Sequence, residues 1–247
     1  MKSLYNIIID LFKFFGLSIG RFDAKIYDFR KKYLKYNELY KKYKSFTMIP
    51  EYSFIDNLVL CEKVKELKGS VVECGVWRGG MIASIAEVLG NNRKYYLFDS
   101  FEGLPAPGEN DGGDAFKWQA NTKSPEYYDN CKAEKSYAMN AMRLSGVHDY
   151  HTIKGWFNET LPDAKCDEIA LLRLDGDWYD STMDCLKNLY PKVVDGGLIL
   201  IDDYYFWDGC TKAVHDYLSQ NNLAERIHQT TNGVCYFIKN EKIARFQ

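Results

Sequence analysis

Residues 71–80 read VVECGVWRGG, and this stretch decides the fold. Its two valines begin a short apolar run of the kind a strand buries on both faces, and Gly75 ends it in a turn. Gly79 and Gly80 then open a helix whose apolar residues recur at helical spacing through Leu89. Glycines at such a turn let the backbone approach a ligand closely, and the helix start offers it unpaired N–H groups. The spacing is not G-x-G-x-x-G, so the dinucleotide fingerprint fails.

Working outward, the alternation repeats. Strands are expected at 94–99, 150–154, 169–175 and 197–202, with helices at 179–189 and 210–220. Two more strands, 224–228 and 234–239, are joined by a turn at 231–233. Apolar strands alternating with helices imply an α/β fold: a mostly parallel sheet, helices on both faces, closed by a C-terminal antiparallel hairpin. The connection 100–149 is long for such a fold. It contains PAPGENDGGD, expected as a loop, and a helix expected at 125–145. It is read as an insertion that serves as a lid over the substrate, poorly ordered without cofactor.

Ligands of open α/β sheets bind beyond the carboxyl ends of the strands. Acids collect there: Glu73, Asp99, Asp175, Asp202 and Asp203. Glu73 would repel a pyrophosphate but suits an amine-bearing ligand, such as the amino-acid end of S-adenosylmethionine. Asp99 follows Gly75 by 24 residues, a spacing that suits an acid accepting hydrogen bonds from ribose hydroxyls. Asp175 in LRLDGD and the pair Asp202–Asp203 in LIDD converge if their strands are neighbours. Three carboxylates in one place repel unless a cation neutralises them, and oxygen ligands without His or Cys favour Mg²⁺ or Ca²⁺ over zinc. The alternatives at each position are helix caps, turn formers and solvated loop acids.

Net charge over the 247 residues is −2, which gives no sign of nucleic-acid binding. The distribution is asymmetric. Residues 1–45 hold 11 Lys/Arg against 4 Asp/Glu, a net of +7, and the remainder carries a net of −9. This basic, Tyr-rich head, 1–47, is expected as a helical extension preceding a main domain at 48–247. Leu4, Ile7, Ile8, Leu11, Phe12 and Phe15 give it one broad apolar helical face, repeated by Tyr33, Tyr36, Tyr40 and Tyr43. That face packs on the body or on a second copy of the chain, or it lies on a membrane surface beside the basic segment 30–44. Seven scattered cysteines without a C-x-x-C pair fit a reducing cytoplasm.

Five blocks in order, VVECGVWRGG, LFDSFEGLP, GWFNETLP, LLRLDGDWYDST and GGLILIDDY, resemble the macrocin O-methyltransferase (TylF) family. The resemblance covers about residues 48–240. It implies a Rossmann-like class I methyltransferase fold with a seven-stranded sheet, and Mg²⁺-dependent methylation of a sugar hydroxyl by S-adenosylmethionine. Position by position, it implies that Glu73 and Gly75 flank the methionine part of the cofactor and that Asp99, with Ser100 beside it, holds the ribose. Gly155 and Trp156 would lie along the adenine, and Asp175, Asp202 and Asp203 would ligate the metal. The favoured general base is Asp175, with Asp177 as its competitor and His151 ranked below both. Trp178, Tyr204 and Trp207 either stack on a sugar face or serve as packing.

The partner expected is a small-molecule or glycan acceptor, and the chain is expected to form a homo-oligomer. A phenolic or catechol acceptor, and a non-catalytic nucleoside-binding scaffold, are the competing readings. A scaffold has no need of a convergent, self-repelling set of carboxylates.

Overall fold

The carboxyl ends of three adjacent strands lie level with one another, and this register builds the site. A computed structural model describes the backbone of residues 24–242 and the side chains of 33–242. The apolar face from Leu4 to Phe15 lies outside the described residues. The strands are β1 (Ser70–Cys74), β2 (Tyr95–Asp99), β3 (Tyr150–Lys154), β4 (Ile169–Leu174), β5 (Val193–Ile201), β6 (His228–Gln229) and β7 (Cys235–Ile238). They form one sheet in the order β3-β2-β1-β4-β5-β7-β6. Pairing is parallel from β3 to β5 and antiparallel at β5–β7 and β7–β6. The fold is therefore the seven-stranded, mostly parallel sheet that the alternation predicts.

Register places Cys74 beside Leu174 and Leu174 beside Ile201. The ladder runs one step further: Asp175 N donates to the Cys74 carbonyl and Asp202 N to the Leu174 carbonyl, each at 2.9 Å. Gly75, Asp175 and Asp202 thus leave the sheet side by side. β1 and β4 are buried along their whole length, as central strands between two helical layers must be, whereas β3 is only partly covered.

The helices are α1 (Ala24–Tyr43), α2 (Glu51–Cys61), α3 (Gly80–Leu89), α4 (Gly112–Ala120), α5 (Lys135–Ser145), the single turn α6 (Phe157–Thr160), α7 (Tyr179–Leu189) and α8 (Asp208–Gln220). α7 and α8 pack a Leu, Met and Val face against β4 and β5 in the main core. The chain divides into two compact units at Glu38/Leu39, within α1. In the second unit the end of α1 is fixed by Glu87, whose Oε1 accepts from Tyr43 OH and Lys42 Nζ, each at 2.5 Å. Tyr40 meets Phe54 edge-on at 5.4 Å.

Three local expectations need correction. The helix expected at 125–145 is regular only from Lys135, because Tyr128, Asp129, Asn130 and Cys131 all take positive φ, from 48° to 57°, and form a left-handed turn. The last three residues of PAPGENDGGD, 112–114, are not loop but the start of α4. The penultimate strand is the two residues His228–Gln229 rather than 224–228. There Glu225 spends its carboxylate on Tyr190 OH at 2.5 Å and Asn240 N at 3.0 Å, and the chain is held by a side chain instead of a ladder.

Candidate active site

Gly75 follows β1 with φ +85°, and a Cβ there would lie 1.7 Å from the Asp175 carbonyl oxygen. Only glycine permits the two strand tips to meet this closely. Just inside the tips, Glu73 of β1 sits in register with Arg173 of β4. Arg173 Nη1 donates to Glu73 Oε1 at 2.8 Å and to Asp175 Oδ2 at 2.7 Å, and Nη2 donates to Asp202 Oδ1. One buried guanidinium thus bridges three carboxylates from three strands, and they keep it charged despite its burial. Burial pushes the Glu73 carboxyl up to about 7 against the pull of Arg173. Its second oxygen, Oε2, has no partner among the described residues.

Beyond the tips, the carboxylates of Asp175, Asp177 and Asp203 each bring one oxygen within 4.8 Å of the others. Asp177 has φ +58°, and its N–H donates to Asp203 Oδ2 at 2.9 Å. Its Oδ1 accepts from Trp207 Nε1 at 3.0 Å. Asp202 is not in this triplet; it is turned to Arg173. Burial, then the charge of neighbouring acids, raises the carboxyls of Asp175, Asp177 and Asp203 above the ordinary range. Arg173 reaches Asp175, but among the described residues no cationic side chain bonds to Asp177 or Asp203, so the mutual repulsion of the cluster is left for a bound cation to relieve. Three hard oxygen donors in that state fit a divalent cation such as Mg²⁺.

Asp99 ends β2. Its Oδ2 accepts from Trp77 N at 2.8 Å and its Oδ1 from Phe101 N at 2.6 Å, both donors having positive φ. Burial raises its pKa, and these backbone donors oppose the rise. Ser100 Oγ donates to the Gly103 carbonyl at 2.9 Å and shapes the turn that follows. Gly155 N donates to the Asp99 carbonyl at 3.0 Å, and Trp156 precedes α6 as its cap.

Glu73, Gly75, Asp99, Ser100, Gly155, Trp156, Asp175, Asp177, Asp202 and Asp203 all line one cavity of about 790 Å³. His151 is not among its lining residues; it stacks on Tyr96 at 5.1 Å and is half exposed. Tyr204 is absent from the lining too, its hydroxyl paired with His215 Nε2 at 2.8 Å. Trp178 is buried, with its Nε1 on the Pro105 carbonyl at 2.9 Å, and Trp207 meets it edge-on at 5.1 Å.

Residues not singled out from the sequence complete the site. Arg173 had a signal: a lone arginine inside the apolar run IALLRL must find buried acids if the strand is central. Asp111 and Trp118 had none, since one acid among several in a Gly-rich run and one indole in a long insertion look ordinary. Both line the same cavity.

Comparison with known proteins agrees with this architecture. The family model for macrocin-O-methyltransferase (TylF) matches residues 43–239. An 8-demethyl-8-(2,3-dimethoxy-alpha-L-rhamnosyl)-tetracenomycin-C 4'-O-methyltransferase of Streptomyces olivaceus is 34% identical over 184 residues, 71% of this chain and 69% of that protein. A demethyldecarbamoylnovobiocin O-methyltransferase of Streptomyces niveus is 34% identical over 164 residues, 64% of this chain and 62% of that one. The matched part therefore spans about two thirds of these relatives. Among solved structures, the O-methyltransferase NovP superposes with a TM-score of 0.67 at 29% identity, covering 79% of this chain and 83% of that chain.

Proposed function

The chain belongs to the macrocin-O-methyltransferase (TylF) family, and from that premise we propose that it transfers a methyl group from S-adenosylmethionine to a sugar hydroxyl, with Mg²⁺ held by Asp175, Asp177 and Asp203. The acceptor class is a glycoside, glycan or glycosylated natural product. Support for the sugar comes from relatives whose names specify a rhamnosyl 4'-O-methyltransferase and a mycinamicin 3''-O-methyltransferase. The observation that carries the reading is a single cavity lined both by Asp99 and Glu73 and by the three-carboxylate cluster.

When bound, S-adenosylmethionine supplies a sulfonium methyl group and Mg²⁺ supplies Lewis acidity toward an acceptor oxygen. This chain's own residues bind, orient and move a proton. Asp99, its oxygens fixed by two backbone N–H groups, keeps lone pairs for vicinal ribose hydroxyls. Glu73 Oε2, buried and unpartnered, suits an ammonium group. Asp202, bonded to Arg173, holds that guanidinium against β5 and lets it orient Asp175.

The acceptor's proton goes to a carboxylate oxygen. We assign it to Asp177. Asp175 Oδ2 is bonded by a guanidinium, which favours its charged form, whereas Asp177 Oδ1 is bonded by a neutral indole N–H and would take the proton while the other oxygen of Asp177 would serve the cation. Catalysis is then mostly alignment of acceptor and methyl donor in a walled cavity.

The test is incubation with labelled S-adenosylmethionine and Mg²⁺, with and without EDTA, against panels of glycosides and catechols. Methylation of glycosides that EDTA abolishes is the expected result. Methylation of catechols alone would overturn the sugar assignment, and turnover indifferent to EDTA would overturn the metal.

A further inference from the structure

Asp111 belongs to the long insertion yet is 4% exposed. Its Oδ1 accepts from Tyr179 N, the first residue of α7, at 2.6 Å, and its Oδ2 accepts from Gly108 N at 2.6 Å. Gly209, in the first turn of α8, lies so near that a Cβ there would come within 1.9 Å of Oδ1. The carboxylate is therefore seated where α7 begins and against the first turn of α8. Those are the helices that follow the two acid-bearing strand tips. A negative charge is favoured at such helix starts, where backbone N–H groups lack intrahelical acceptors.

The wall that Asp111 holds is the aromatic side of the cavity. Pro105 takes the Trp178 indole N–H at 2.9 Å. Trp118 of α4 meets Trp178 and Trp207 edge-on, each at 6.1 Å. Trp207 in turn donates to Asp177. None of these residues bonds to Glu73, Gly75 or Asp99, so the clamp lies on the carboxylate side of the cavity and not on the nucleoside side.

We propose that Asp111 is a positioning residue: it locks residues 104–120 onto α7 and α8 as the acceptor-side wall, and through the Trp118–Trp178–Trp207 cluster it sets the orientation of Trp207 and Asp177. Assigning that side to the acceptor rests on the function proposed above. The clamp itself does not. Asp111 touches no reacting group; it acts through the wall.

The experiment compares full-length wild type, Asp111→Ala and Asp111→Asn by acceptor kinetics, by S-adenosylhomocysteine calorimetry and by limited proteolysis. Misplacing a catalytic group from a distance costs about 10- to 100-fold, and Asp111→Ala is expected to lose that in kcat/KM for the acceptor. S-adenosylhomocysteine affinity should be unchanged, with new cleavage between residues 104 and 120. Asp111→Asn keeps an oxygen for Tyr179 N and should recover most of the loss. Wild-type cleavage and kinetics in Asp111→Ala would overturn the proposal, as would a parallel loss of S-adenosylhomocysteine binding. Should Asp111→Ala not fold, Gly209→Ala, which crowds Oδ1, is expected to open the same segment to protease. If wild type methylates no acceptor, the proposed function falls, while proteolysis and calorimetry still decide the clamp.

Discussion

Glu73 and Arg173, 100 residues apart in the sequence, meet at 2.8 Å with both side chains 1% exposed. Arg173 also carries Asp175 and Asp202, so one cation is the common partner of an acid within β1 and of two acids at the tips of β4 and β5. A buried pair adds little net stability over an apolar replacement of both partners, but removing one partner strands the other's charge. Arg173→Met should therefore destabilise the fold by about 3–5 kcal/mol. Urea denaturation measures it, and a loss under about 1 kcal/mol, the size of an exposed pair, would contradict the network.

Gly75→Ala meets two obstacles. Its φ of +85° costs a side chain about 1–3 kcal/mol, and its Cβ would overlap the Asp175 carbonyl oxygen at 1.7 Å. The tips of β1 and β4 must separate, and a lowered Tm should accompany weaker S-adenosylhomocysteine binding by calorimetry. An unchanged Tm would mean that the tips are not in contact.

Removal of divalent cation should abolish turnover, and Mg²⁺ should restore it. Asp203→Ala should lower turnover by at least about 100-fold, the worth of a few kcal/mol of Lewis-acid stabilisation, with little effect on S-adenosylhomocysteine affinity. Rates measured after EDTA treatment and Mg²⁺ titration decide this. Full activity of Asp203→Ala in Mg²⁺-free buffer would remove the metal from the mechanism.

Asp99→Ala acts on the other side. It strips the acceptor from Trp77 N and Phe101 N and from any ribose hydroxyl there. S-adenosylhomocysteine affinity should fall about 10- to 100-fold, as expected for a lost charged acceptor. Mg²⁺ dependence of any residual activity should be unaltered, and a shift in that dependence would show that Asp99 belongs to the acid cluster instead.

Trp207→Phe keeps the ring contacts but deletes the N–H that holds Asp177 at 3.0 Å. A hydrogen bond to a charged group is worth about 1.5–3 kcal/mol, so kcat should drop roughly 10- to 100-fold with cofactor binding intact. Steady-state kinetics at saturating S-adenosylmethionine give the answer; an unaltered kcat would argue that Asp177 is not the proton acceptor.

Much of the sheet was legible in advance, because its signals are local. Apolar runs of strand length, each ending in glycine or an acid, mark β1, β2 and β4 almost to the residue, and α7 is found at the limits expected for it. Periodicity fails where conformation is set from elsewhere. Nothing local in YYDNC announces a left-handed turn, which is held by Asn130 through its carbonyl to Leu104 N and its amide to the Leu104 carbonyl. The two-residue β6 likewise follows from the grip of Glu225 on Tyr190 and Asn240.

By itself the amino-acid sequence determined the kind of sheet, the rim on which the acids gather and the family to which their order belongs. Those depend on hydrophobic spacing and on residue types at chain positions, which are properties of a line. Tertiary structure alone decided which acids lie together: Asp202 turns to Arg173, while Asp177 comes within 4.8 Å of Asp175 and Asp203. It also decided that Asp111 spans 68 residues to hold α7. Carboxylates interact over a few ångströms, and those distances exist only once register and crossover have brought remote segments together.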